Sequence, residues 1–134
     1  MTTRFQNVML IDDNEIDNMI NQKMIESAVV AQNIFVHSSA KSAIEFLKNI
    51  ERLEVADKIL PDVIFLDIDM PLMDGFQFLD EFGRLGDGVQ KKCKIVMLTS
   101  SLNPQDLARS KKYNAVKKYL NKPLSSESIL GLDV

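Results

Sequence analysis

The segment from residue 62 to residue 75 constrains the fold of this 134-residue chain more than any other. It opens with an apolar run, Val63 to Leu66, in which apolar and polar residues do not alternate. Such a run is typical of a strand that is buried on both faces of a parallel sheet. The run stops at Asp67, and Pro71 and Gly75 then limit the strand and prepare a helix start. The segment therefore predicts an acid at the carboxyl end of a central strand.

Five short strands are predicted along the chain, and they alternate with segments of helical periodicity. The strands are expected at about residues 7–11, 33–37, 62–66, 94–98 and 116–120. This alternation predicts an α/β fold in which helices cover both faces of a parallel sheet and the crossovers are right-handed. We expect residues 1–134 to form a single domain, since the length suits one hydrophobic core.

The helix after the first strand carries apolar residues at helical spacing, namely Ile16, Met19, Ile20 and Met24. This periodicity predicts a helix that runs to about Ala28. We interpret Met19 and Met24 as packing residues of the core, because methionine fills irregular gaps between elements.

The charge and the single cysteine restrict the class of protein. A formal net charge of −3 argues against a nucleic-acid-binding surface. The only cysteine, Cys93, excludes an internal disulfide and suits a reducing compartment. The chain shows neither the apolar core of a signal peptide nor an apolar run of membrane-spanning length. We therefore expect a cytoplasmic protein that binds neither nucleic acid nor membrane.

Polar side chains follow four of the predicted strands and would meet at one edge of the sheet. Asp12 and Asp13 follow the first strand, Asp67 ends the third, Thr99 ends the fourth and Lys122 follows the fifth. Three carboxylates in one crevice repel each other unless a cation lies among them. Oxygen ligands without histidine or cysteine favour Mg²⁺. A metal, a hydroxyl and a lysine around Asp67 suit phosphoryl transfer to that carboxylate.

Each of these side chains also has a plainer interpretation. Asp12 and Asp13 are suitable caps for the helix that follows them. Thr99 is equally suited to a strand end, and Lys122 to a solvated surface. Their occurrence at four strand ends together favours a site.

The chain resembles the receiver domain of two-component response regulators over nearly its whole length. The motifs that carry the resemblance are Asp12-Asp13, Asp67 with Pro71-Leu72-Met73-Asp74-Gly75, Thr99 and Lys122-Pro123. The resemblance implies a (βα)5, doubly wound, five-stranded parallel sheet of flavodoxin-like topology. It also implies two-component signal transduction or a phosphorelay, in which the phosphoryl group comes from a phosphohistidine on a sensor histidine kinase or a histidine phosphotransfer protein.

The resemblance assigns the acidic residues to the phosphoacceptor and to Mg²⁺. Asp67 is implied as the phosphoacceptor. Asp13 and Asp67 are implied as direct ligands of Mg²⁺ together with the carbonyl oxygen of Asp69, and Asp12 is implied to act through water.

The resemblance assigns two further residues to the phosphoryl group and one to switching. Thr99 and Lys122 are implied to contact the phosphoryl oxygens. Thr99 and Tyr119 are implied as the switch pair, since Tyr119 lies three residues before Lys122. The peptide bond between Lys122 and Pro123 is implied to be cis, which proline permits at low cost.

The implied role is signalling, and the domain would catalyse only its own phosphorylation and dephosphorylation. The chain ends soon after the fifth strand, so we expect a stand-alone receiver that acts on a separate downstream protein. We expect a monomer, with a phosphorylation-dependent dimer as the alternative.

Three rival functions remain open. Asp67-Ile68-Asp69 after an apolar strand also resembles the nucleophile motif of haloacid-dehalogenase-type phosphatases, in which the second aspartate is the acid and base. A flavin- or nucleotide-binding module is disfavoured, because Asp12-Asp13 stands where such a module needs a glycine-rich phosphate loop. A receiver that binds without being phosphorylated is disfavoured by the complete set of site residues.

Overall fold

The structure, a computed structural model, describes residues 4–53, 59–100, 102–132 and 134. Within these residues the elements are β1 Phe5–Ile11, α1 Glu15–Ala28, β2 Ala31–His37, α2 Ala40–Glu51, β3 Val63–Asp67, α3 Gly75–Phe82, α4 Asp87–Lys92, β4 Lys94–Thr99, α5 Pro104–Ser110, β5 Val116–Asn121 and α6 Ser126–Leu130. Every predicted strand is present, and the short helix α4 is an addition to the predicted pattern. None of the helices in this described part is long and apolar enough to cross a membrane.

The five strands are all parallel and lie in the order β2-β1-β3-β4-β5. This order confirms the predicted doubly wound, flavodoxin-like sheet. The strand order reverses between β1 and β3, and ligands of such sheets bind at the carboxyl ends of the strands beside that point. Ile11 of β1 is in register with Leu66 of β3, so Asp12 and Asp67 leave the sheet at the same level.

Side chains alternate between two apolar layers, one on each side of the sheet. Met9 and Ile11 contribute to the layer that includes α2 and α3, whereas Val8 and Leu10 contribute to the layer that includes α1 and α6. All five residues of β3 are buried, as expected of the central strand. The carboxyl end of β3 is therefore held rigidly from both sides.

The face that α1 turns to the core differs from the predicted one in the first half of the helix, whereas Met24 packs against the core as predicted. Met19 is 51% exposed, and Ile16 and Ile20 are exposed as well, so the interpretation of Met19 as a packing residue is wrong. The buried residues of α1 include Asn18 and Asn21. Both asparagines form hydrogen bonds with loops at the carboxyl edge of the sheet, and these bonds explain why they are buried.

Candidate functional site

Asp12, Asp13 and Asp67 form one acidic group at the carboxyl edge of the sheet, between β1 and β3. Each residue offers a carboxylate oxygen, and these oxygens lie within 4.8 Å of one another. Asp12 and Asp67 are buried, whereas Asp13 is exposed. Hard oxygen ligands at this spacing fit a divalent cation of the Mg²⁺ or Mn²⁺ kind.

The start of α1 holds Asp12 in place. The Asp12 carboxylate accepts a hydrogen bond from the backbone N–H of Asn14 at 2.9 Å. Asn14 in turn caps α1, where its side chain accepts from the backbone N–H groups of Ile16 and Asp17. The Asn18 side chain donates to the backbone carbonyl of Asp12 at 2.8 Å. The side chains of Asn14 and Asn18, which are one helical turn apart, therefore hold the turn between β1 and α1 in place.

Gly75 fixes the other wall of the site because only a residue without a side chain fits there. Its backbone N–H donates to the carbonyl of Ile68 at 2.8 Å. A Cβ atom on Gly75 would lie 2.8 Å from the carbonyl oxygen of Asp67 and 2.9 Å from Cα of Ile68. Asp74 caps α3 in a capping box with Gln77. Close approach of α3 to the end of β3 therefore explains this glycine.

Lys122 supplies the cation of the site. Its Nζ atom lies 2.6 Å from Asp12 Oδ2, 3.0 Å from Asp17 Oδ2 and 3.2 Å from Asp67 Oδ1. The side chain is only 10% exposed, and the backbone N–H of Lys122 donates to the carbonyl of Thr99 at 2.7 Å. Asp17 was not predicted from the sequence as a residue of the site.

The loop after Lys122 is braced by the second buried asparagine of α1. The peptide bond between Lys122 and Pro123 is cis, as the resemblance implies. The backbone N–H of Leu124 donates to the Asn21 side chain at 2.9 Å. The recurrence of asparagine at positions 14, 18 and 21 follows one helix face, and it is the sequence signal that would have revealed the polar face of α1.

The surroundings of Asp67 and Lys122 raise the pKa values of both groups. Burial and the charge of Asp12 raise the pKa of Asp67 to about 6, although Lys122 and the backbone N–H of Asp69 oppose this rise. Burial disfavours the ammonium of Lys122, but hydrogen bonds to Asp12 and Asp17 outweigh burial and raise the pKa of Lys122. Lys122 is therefore charged at neutral pH, while Asp67 changes its charge near pH 6.

Three other predicted residues lie toward or just after the carboxyl ends of β3, β4 and β5. Asp69 is exposed and its carboxylate is not part of the group, so its implied metal contact rests with its carbonyl oxygen. Thr99 is buried at the end of β4, the strand next to β3. The hydroxyl of Tyr119 is also buried, and burial raises the pKa of Tyr119.

An open hollow lies beside Lys122 and is lined in part by α1. The hollow has a volume of about 250 Å³ and is lined by Asp17, Ile20, Asn21, Ser100, Lys122 and Pro123. Ile16 is 62% exposed and Met19 51% exposed on the same helix. Exposed apolar residues that a helix spacing of three and four places on one face are typical of a surface that another protein covers.

The profile of the response regulator receiver domain matches residues 8–132 of the chain. The sensor histidine kinase CheAY of Helicobacter pylori is 30% identical over 120 residues, which cover 90% of this chain but 13% of the kinase. The response regulator Rcp1 of Synechocystis is 26% identical over 103 residues, which cover 77% of this chain and 67% of Rcp1.

Solved structures share the fold over nearly the whole chain. A two-component response regulator from Cytophaga hutchinsonii superposes with a TM-score of 0.86 at 28% identity, covering 95% of this chain and 92% of that one. The Mn²⁺-bound form of Rcp1 superposes with a TM-score of 0.72 at 24% identity, and the match covers 88% of this chain and 81% of the Rcp1 chain. These comparisons give no support to a haloacid-dehalogenase-type phosphatase.

Proposed function

Because the chain belongs to the response regulator receiver domain family of two-component signalling, we propose that Asp67 is its phosphoacceptor. The observation that carries the proposal is the placement of a buried Asp67 carboxylate between two further carboxylates and the Lys122 ammonium. In the proposed step an Asp67 oxygen attacks phosphorus and forms an acyl phosphate. The bond between phosphorus and the donor's histidine nitrogen breaks, and its electron pair stays with the imidazole.

The residues present fit Mg²⁺ as the metal of this step. Asp13 and Asp67 would hold it directly with the Asp69 carbonyl oxygen, and Asp12 would act through water. When bound, the ion offsets the negative charge of the transferring group. Lys122 contributes the second positive charge and is kept in place by Asp12. The Mn²⁺-bound form of Rcp1 supports a divalent cation here.

The test is chemical phosphorylation followed by the mass of the intact protein. Acetyl phosphate with Mg²⁺ should add one phosphoryl group, which hydroxylamine should remove as it removes acyl phosphates. Chelation of the metal should prevent the reaction. Sustained hydrolysis of p-nitrophenyl phosphate without accumulation of the phosphorylated protein would instead favour a phosphatase.

The exposed apolar residues of α1 supply the docking surface for the protein donor. Ile20 lines the hollow beside Lys122, and Ile16 and Met19 are exposed on the same helix, so a partner that covers them brings its phosphohistidine toward the acidic group. Met19→Gln should slow transfer from a phosphorylated histidine kinase about tenfold, as loss of one apolar contact in an interface does. Its rate with acetyl phosphate should not change, because that donor needs no docking surface.

Leu53 provides the matched control for this prediction, since it is also 51% exposed but lies beyond the end of α2. Leu53→Gln should leave both rates unchanged. Equal slowing by the two variants, or slowing of Met19→Gln with acetyl phosphate, would rule out α1 as the docking surface.

Phosphorylation is expected to act on a separate protein, or on a second copy, through α5 and β5. Thr99 and Lys122 are joined by a backbone hydrogen bond, so their attraction to phosphoryl oxygens draws the ends of β4 and β5 together toward Asp67 as one unit. Tyr119 belongs to β5 and lines an apolar hollow with Leu102, Pro104 and Leu107. Movement of the loop after Thr99 therefore changes the surface around Tyr119.

Thr99→Ala should still accept a phosphoryl group but should lose most of this response. The measurement is a comparison of backbone amide chemical shifts with and without beryllofluoride, a phosphoryl mimic. In the wild type the shifts should extend to residues 102–119, in Thr99→Ala they should shrink there, and Thr99→Ser should retain them through its hydroxyl. Wild-type shifts confined to the surroundings of Asp67 would contradict switching through α5 and β5.

A further inference from the structure

The Lys122 ammonium already has as many carboxylate partners as it has N–H donors. Its Nζ atom contacts Asp12, Asp17 and Asp67 at 2.6, 3.0 and 3.2 Å. An ammonium group has three N–H donors and no acceptor. A phosphoryl oxygen on Asp67 can take over the donor that faces Asp67, but the phosphoryl group gains a second hydrogen bond from Lys122 only when Asp12 or Asp17 is released.

The three partners differ in how easily they are released. The side chain of Asp12 is 3% exposed, so its release would leave a carboxylate buried without its cation. Asp67 is the residue that carries the phosphoryl group. The side chain of Asp17 is 36% exposed and lies in the first turn of α1, where water and the helix N-terminus stabilise a carboxylate. Asp17 is thus the partner whose release costs least.

We propose that Asp17 is a positioning residue that restrains Lys122 before phosphorylation and is exchanged for a phosphoryl oxygen afterwards. The inference rests on the proposed function of Asp67. It makes Asp17 a brake on phosphorylation, because Lys122 must leave Asp17 before it can turn fully toward the phosphoryl group. It also links the site to α1, since Asp17 follows Ile16 on the helix that presents the docking surface.

The first experiment compares rates of phosphorylation by acetyl phosphate at saturating Mg²⁺. Asp17→Asn should raise the rate about two- to fivefold, the range set by one partly exposed ion pair. Glu15→Gln removes the same charge from the same helical turn, and Glu15 has no contact with Lys122 among the described residues, so this control should change the rate less. Asp17→Glu keeps the carboxylate, so its rate of phosphorylation should return toward that of the wild type.

The second experiment records the ¹⁵N and ¹H signals of the Lys122 ammonium group by NMR. In the metal-free, unphosphorylated protein these signals should shift in Asp17→Asn and stay unchanged in Glu15→Gln. In the wild type, beryllofluoride should move them toward a position that Asp17→Asn shares when it also carries the mimic. A merely structural role of Asp17 would not produce this convergence.

The inference is overturned if Asp17→Asn and Glu15→Gln have equal rates, or if the Lys122 signals do not respond to Asp17→Asn. A wild type that takes up no phosphoryl group would overturn the proposed function instead. In that case the ammonium signals of the unphosphorylated protein still decide whether Asp17 holds Lys122.

Discussion

Replacing Asp67 with asparagine should abolish phosphorylation and at the same time stabilise the metal-free protein. The amide of asparagine is not a nucleophile toward phosphorus, so no phosphoryl group should be added at any concentration of acetyl phosphate. The gain in stability follows from the raised pKa of Asp67, about 6 instead of 3.8, which means that the folded protein resists ionisation of this buried carboxyl group.

The sign of the pH dependence follows from proton linkage. An acid whose pKa is higher in the folded state binds more protons there, so the free energy of unfolding falls as pH rises from about 4 to about 6. Asparagine does not ionise in this range, so the variant should not show this fall in the free energy of unfolding. The variant should therefore match the wild type near pH 4 and exceed it above pH 6 by about 1–3 kcal/mol, since one pKa unit corresponds to about 1.4 kcal/mol.

Urea unfolding at pH 4, 6 and 7.5 with a chelator present measures this difference. Asp69→Asn is the control, because Asp69 is exposed and outside the acidic group, and it should differ less from the wild type at pH 7.5 than Asp67→Asn does. An Asp67→Asn protein that is less stable than the wild type at pH 7.5 would contradict the electrostatic description of the site.

Replacing Asp13 with alanine should weaken Mg²⁺ binding about tenfold or more, since a metal that keeps several waters depends on few protein ligands. Within the described residues Lys122 contacts the other two carboxylates of the acidic group but not Asp13. Asp13 is therefore the carboxylate that is available to the metal without displacing the lysine. It is also exposed, and its loss lowers the repulsion among the acids, so Asp13→Ala should not unfold the protein.

The readout is the rise in melting temperature that millimolar Mg²⁺ produces by binding only the folded state. This rise should be present in the wild type, nearly absent in Asp13→Ala and retained in Glu15→Ala, which removes an exposed acid two residues away. An equal rise in Asp13→Ala and in the wild type would show that the metal binds elsewhere.

The fold and the acidic group are predictable from the sequence because both depend on local patterns. The apolar run Val63–Leu66 predicts a strand that is buried on both faces, and all five residues of β3 are buried in the structure. Parallel strands end on one edge, so Asp12 and Asp67 had to meet there once the alternation of strands and helices was recognised. Neither the fold nor the acidic group required knowledge of contacts between residues that are far apart in the sequence.

The orientation of α1 was not predictable from hydrophobic periodicity. Periodicity assigns the apolar face to the core, yet Met19 is exposed and Asn18 is buried. Asn18 is buried because it bonds the backbone of Asp12 across the turn, and Asp17 reaches Lys122, 105 residues away along the chain. Hydrophobic patterns carry no information about such polar contacts, and the contact between Asp17 and Lys122 also depends on how distant segments meet.

The most direct test of the central claim is to locate the phosphorylated residue. Borohydride reduces an aspartyl phosphate to homoserine, and fragment masses of a digest then identify the position. After treatment with acetyl phosphate and Mg²⁺, homoserine should be found at position 67 alone and should disappear when the metal is chelated. Homoserine at position 12, 13 or 69 with aspartate intact at position 67 would contradict the assignment of Asp67 as phosphoacceptor.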